Sequence, residues 1–122
     1  MIHSTAIIDP KAKIEKNVQV GPYSVIGPNV VIGENTIIQS HVSITGNTVI
    51  GKDNVIYPFV SINDPQDLKY NGESTNLLIG NNNKIREYVT INPGTKGGGG
   101  KTVIGNNCLF MISSHIAHDC QV

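Results

Sequence analysis

An aliphatic residue returns at every sixth position from Ile2 to Ile62: Ile2, Ile8, Ile14, Val20, Ile26, Ile32, Ile38, Ile44, Ile50, Ile56 and Ile62. A helix face repeats near 3.6 residues and a strand face near 2, so neither alone gives this period. Four positions after most members comes a small or β-branched residue (Ala6, Ala12, Val18, Ser24, Val30, Thr36, Val42, Thr48, Val60), with Asn54 as the break. Gly follows several members directly (Gly21, Gly27, Gly33, Gly51), which fits a turn needing positive φ or close backbone approach. The pattern is a hexapeptide repeat and predicts a parallel β-helix.

The rhythm breaks twice. A phase-free stretch at about 63–78 contains DPQDLKYNGES, and the ladder returns at Ile79, Ile85 and Ile91. A second stretch at about 93–103 holds the run Gly97 to Gly100, after which Ile104, Phe110, Ile116 and Val122 resume. Both read as loops thrown out from a rigid solenoid, the usual place for function. The ladder reaches Val122 in mid-hexad with no cap, so the expectation is one β-helical domain over 1–122 that continues in a longer protein.

Composition changes this picture little. Nine basic residues balance nine acidic ones, which gives no electrostatic footprint for nucleic acid or a membrane surface. Trp is absent, with four Tyr and two Phe, as suits aliphatic ladders rather than a globular core. Cys108 and Cys120 both take the small-residue position of their hexads and are expected to be buried, reduced and unpaired in a cytoplasmic protein. No charged-then-apolar leader opens the sequence, and no apolar run approaches the ~18 residues of a membrane span.

Two constellations bear chemistry. In Ser113-Ser114-His115-Ile116-Ala117-His118-Asp119 the inward phase of Ile116 leaves His118 and Asp119 at a corner, facing outward. A neutral His is the usual general base for an attacking hydroxyl, and an adjacent carboxylate can fix its tautomer. Surface histidines on a repeat are more often inert, and this spacing is weak for a metal site off a helix. In the first loop, Asp67 offers an acceptor for sugar hydroxyls and Lys69 a point charge for phosphate, although loop charges are more often merely solvated. The glycine run lacks GK[ST] and is no phosphate cradle. Lys84, Arg86, Lys96 and Lys101 could dock an acidic partner, but are more often solubilising.

The motifs QDLKY and HIAHDC, in this order on a hexad ladder, together with Ile79 to Thr95 as IGxxNxIRExVTIxxGT, resemble the bacterial acyl-[acyl-carrier-protein]–UDP-N-acetylglucosamine O-acyltransferases that open lipid A synthesis. The resemblance covers the whole chain. It implies a left-handed parallel β-helix, a cytoplasmic homotrimer with active sites at subunit boundaries, acyl carrier protein and UDP-N-acetylglucosamine as substrates, and no cofactor or metal. It also implies that His118 is the base for the sugar 3-hydroxyl, with Asp119 orienting it. His115, Asp67 and Lys69 would contact substrate and Met111 would line the acyl region. Asn92 stands where some members carry His. Family members continue with further coils and a helical domain, so the 122 residues alone are expected to be inactive. Other hexapeptide acyl- or acetyltransferases, a zinc carbonic anhydrase drawing on His41, His115 and His118, and a non-enzymatic solenoid are the alternatives. The last would show regular Thr or Ser ladders and no long loops.

Overall fold

The computed structural model describes residues 1–63, 76–92 and 101–116. Every regular element among them is a short parallel strand: β1 (Ile7–Ile8), β2 (Lys13–Ile14), β3 (Gln19–Val20), β4 (Val25–Ile26), β5 (Val30–Ile32), β6 (Ile37–Ile38), β7 (Ser43–Ile44), β8 (Asn47–Ile50), β9 (Val55–Ile56), β10 (Ser61–Ile62), β11 (Asn76–Ile79), β12 (Lys84–Ile85), β13 (Thr90–Ile91), β14 (Lys101–Ile104), β15 (Leu109–Phe110) and β16 (His115–Ile116). They form three flat sheets, ordered β1-β4-β7-β10-β13-β16, β14-β11-β8-β5-β2 and β15-β12-β9-β6-β3. Each strand stacks on the one three places before it, so three hexads make one triangular coil.

The register reproduces the ladder columns. Ile8, Ile26, Ile44, Ile62, Ile91 and Ile116 pair in succession, as do Ile14, Ile32, Ile50, Ile79 and Ile104. The third column runs Ile2, Val20, Ile38, Ile56, Ile85, Phe110. From Val20 to Ile104 these side chains are 0–3% exposed, and each full burial contributes roughly 1.5–3 kcal/mol. Strands of two residues suffice because the backbone ladder runs on past them, as where Gly33 N–H donates to Ile50 O at 2.8 Å. The stack loosens towards its ends: Ile2 is 48% exposed, and Ile8, Ile14 and Ile116 only partly buried.

Two expectations are corrected, and one open choice is decided. First, the excursions are shorter than the hexad phase indicated. Asn63 is buried and bonded into its coil, residues 76–78 belong to β11, and β14 already begins at Lys101. Leu77 and Thr102 sit at inward positions with no exposure, so tertiary pairing takes up residues that the broken phase had hidden.

Second, of the two readings of the glycines after ladder residues, close approach is the one that holds. A Cβ on Gly33 would lie 2.6 Å from the Gly51 carbonyl carbon, and one on Gly21 would lie 2.7 Å from that of Gln39. Among these corners, positive φ falls instead on the residue before the small position in two of the three columns. One corner column has it at Asn17, Asn35, Asp53, Asn82 and Asn107, and another at Tyr23, His41, Phe59, Tyr88 and Ser113. Asn and Asp tolerate that conformation well. The aromatic corner packs ring on ring instead, tilted for Tyr23–His41 with centroids 5.2 Å apart, and stacked for His41–Phe59 at 4.9 Å and Phe59–Tyr88 at 5.5 Å.

Third, Cys108 is only partly buried, because it lies in the last described coil; its Sγ approaches Asn106 O at 3.4 Å. Cys120 lies outside the described residues.

Asn54, the break in the small-residue ladder, continues a buried polar column that Thr36 begins. Its Nδ2 donates to Gly80 O and its Oδ1 accepts from Asn83 N–H, both at 2.9 Å. Asn83 repeats the device one coil on, donating to Gly105 O at 2.9 Å and accepting from Cys108 N–H at 2.8 Å.

Candidate active site

The described part of the candidate site is the top of the six-stranded sheet. On β13 and β16 the second residue of each strand turns inward, so the first faces out: Thr90 and His115 are exposed side by side in register, over buried Ile91 and half-buried Ile116. The turn before β16 fixes His115 in place. Ser113 supplies the positive φ, and Ser114 N–H and Oγ both reach Met111 O, at 3.1 and 2.8 Å. The two serines of the motif therefore build the corner that presents the histidine. His115 Nδ1 lies 2.6 Å from Thr90 Oγ1.

Beside this pair, Met111 is 63% exposed, with Leu109 and Ile112 also exposed, forming an apolar edge on the same coil. Asn92 follows Ile91 and is 7% exposed, and its backbone N–H donates to Ile116 O at 3.0 Å. It is thus set into the coil wall, whereas Thr90 and His115 project from it. Asn63 holds the equivalent place after Ile62, its Nδ2 donating to Thr48 Oγ1 at 2.7 Å.

Arg86 lies 4.7 Å over the Tyr57 ring and pairs with Glu87 at 3.0 Å, so its charge is engaged within its own surface. Glu87 is held below its ordinary pKa mainly by a hydrogen bond from its own backbone and secondarily by Arg86, against some desolvation. His41 belongs to the aromatic corner, and no three His, Cys, Asp or Glu side chains gather as a metal site among the described residues. Asp67, Lys69, His118 and Asp119, along with Lys96, lie outside those residues. Thr90 escaped the sequence reading. The coil period of 18 does not lead back to it from His115, because the second excursion stretches that step to 25 residues.

A hexapeptide-repeat model, the bacterial transferase hexapeptide (six repeats), matches residues 11–46. The acyl-[acyl-carrier-protein]–UDP-N-acetylglucosamine O-acyltransferase of Rickettsia bellii is 57% identical over 99% of this chain and 43% of its own length. The LpxA structure from Acinetobacter baumannii superposes with a TM-score of 0.97 at 53% identity, over 99% of this chain and 47% of that one. The UDP-N-acetylglucosamine O-acyltransferase (LpxA) of Moraxella catarrhalis gives 0.96 at 52%, over 99% and 48%. The chain matches this acyltransferase family along nearly its whole length. It spans slightly under half the length of these relatives. Together the repeat match and the superpositions identify the solenoid as a left-handed parallel β-helix.

Proposed function

We propose that the protein carrying this sequence transfers a 3-hydroxyacyl or other acyl group from acyl carrier protein to the 3-hydroxyl of UDP-N-acetylglucosamine, the first step of lipid A synthesis. The observation that carries the proposal is 57% identity to an acyltransferase of that name over 99% of the chain, with QDLKY and HIAHDC in the family's order. The activity belongs to a protein of the relatives' length, in which residues 1–122 form one β-helical domain. The 122 residues alone do not support it.

The chemistry needs a proton acceptor above all. A thioester already has a good leaving group, while an alcohol is a weak nucleophile at neutral pH. His118 takes the proton of the 3-hydroxyl as its oxygen attacks the thioester carbonyl, and Asp119 holds the ring and steadies the imidazolium. The C–S bond then breaks, and the departing thiolate takes the proton back from His118. Asp67 and Lys69 place the nucleotide sugar, His115 and Asn92 belong to the same substrate-binding wall, and Met111 with its exposed apolar neighbours lines the acyl chain. No cofactor or metal enters these steps. The enzyme works in the cytoplasm, where both substrates are soluble, as a homotrimer with sites between subunits. Among the described residues no helix is long and apolar enough to cross a membrane.

The test is incubation of the native-length protein with acyl-carrier-protein thioester and UDP-N-acetylglucosamine. Release of carrier thiol in step with a 3-O-acylated nucleotide sugar is the expected result. Acylation of an amino sugar, or transfer only from coenzyme A, would favour the other hexapeptide transferases instead.

A further inference from the structure

The contact between Thr90 and His115 carries an inference that rests on the proposed function and deepens it. The two side chains stand in register on the outer face of β13 and β16, with Oγ1 and Nδ1 2.6 Å apart. In a neutral imidazole one nitrogen donates and the other accepts, and the bond at Nδ1 decides which. A threonine hydroxyl can donate or accept at this contact. When it donates to Nδ1, the ring proton sits on Nε2.

Thr90 also suits the task sterically. Its β-branched side chain has few χ1 choices, and its backbone N–H is tied to Ser114 O at 3.2 Å. His115 in turn is fixed by the corner that Ser113 and Ser114 build.

We infer that Thr90 is a positioning residue, which holds His115 as the Nε2–H tautomer so that it presents a donor, and not a base, to an oxygen of the nucleotide sugar. This separates the roles of the two histidines of the motif on physical grounds. A ring whose protonated nitrogen faces the substrate cannot accept the hydroxyl proton there, so acceptance falls to His118.

The test uses native-length protein labelled with 15N-histidine, with the His115 resonances assigned by His115→Gln. The native protein is expected to show His115 unprotonated at Nδ1 and protonated at Nε2. Thr90→Val, nearly isosteric and on an exposed face, is expected to move the ring towards a mixture of tautomers, and Thr90→Ser to restore it. In the transfer assay, Thr90→Val is expected to raise KM for UDP-N-acetylglucosamine roughly fivefold, the worth of about one hydrogen bond, with kcat changed less than about twofold. A native His115 protonated at Nδ1, or a Val variant with unchanged tautomer, overturns the role of Thr90. A tautomer change with unaltered KM overturns presentation to the sugar. The spectra need no turnover, so protein that transfers no acyl group but shows the tautomer shift disproves the proposed function alone.

Discussion

At the scale of single residues, the solenoid is held by contacts too close to tolerate substitution. The space at Gly33 is closed by the Gly51 carbonyl, a backbone group that cannot turn aside. Gly33→Ala is accordingly expected to cost about 1–3 kcal/mol, read as a lowered midpoint in denaturant, although alanine usually stabilises a flexible glycine site. Glu87 gives the opposite kind of effect. Its pKa is lowered in the folded state, so its contribution to stability is present above the unfolded value and is lost as pH falls through the folded one. The Arg86–Glu87 pair is open to solvent, with side chains 35% and 30% exposed, so Glu87→Gln is expected to be only slightly less stable than the native protein at pH 7, and the difference to shrink as pH falls through the folded-state pKa. A wide difference persisting at pH 7 would show that the Arg86 pair does structural work.

At the scale of elements, the coil is three strands and three corners, and the corners were the harder part to read. The inward residues follow directly from the hexad, because a strand's alternation fixes which side chain enters the core. The polar residues around them gave no such guide. Asn81, Asn82 and Asn83 look like one polar turn, yet each does something different. Asn81 Oδ1 caps Lys52 N–H at 2.8 Å, Asn82 takes the positive φ, and Asn83 is wholly buried and bonded to two backbone groups. Nothing in the sequence separates them except phase. Asn83→Ala is expected to leave Gly105 O and Cys108 N–H without their partner, at about 1–3 kcal/mol for each buried group so stranded. Asn82→Gly, by contrast, is expected to be mild, because glycine adopts the same φ without strain. Equal losses in the two variants, measured by chemical denaturation, would contradict the separate roles. The candidate site shows the same division. The outward phase of His115 was legible from Ile116, whereas Thr90 was not, because the second excursion lengthens the step between them to 25 residues and hides their pairing.

At the scale of the whole molecule, each coil touches its neighbours alone, so stability adds coil by coil and the two excursions leave the stack unbroken. The sheets pass from β10 to β13 and from β13 to β16 with every ladder column in register. A core truncation such as Ile44→Ala is therefore expected to cost about 2–5 kcal/mol, while Lys69→Ala in the first excursion leaves the melting temperature within a few degrees and weakens use of the nucleotide sugar. The rigid wall positions, and the loops and the corner beyond Ile116 are proposed to supply the chemistry. The most direct test of that division is the turnover of His118→Ala in native-length protein, measured as thioester-to-sugar transfer alongside His115→Ala. With folding intact, His118→Ala is expected to lose at least about two orders of magnitude in kcat and His115→Ala distinctly less. Near-normal turnover of folded His118→Ala would contradict its assignment as the base.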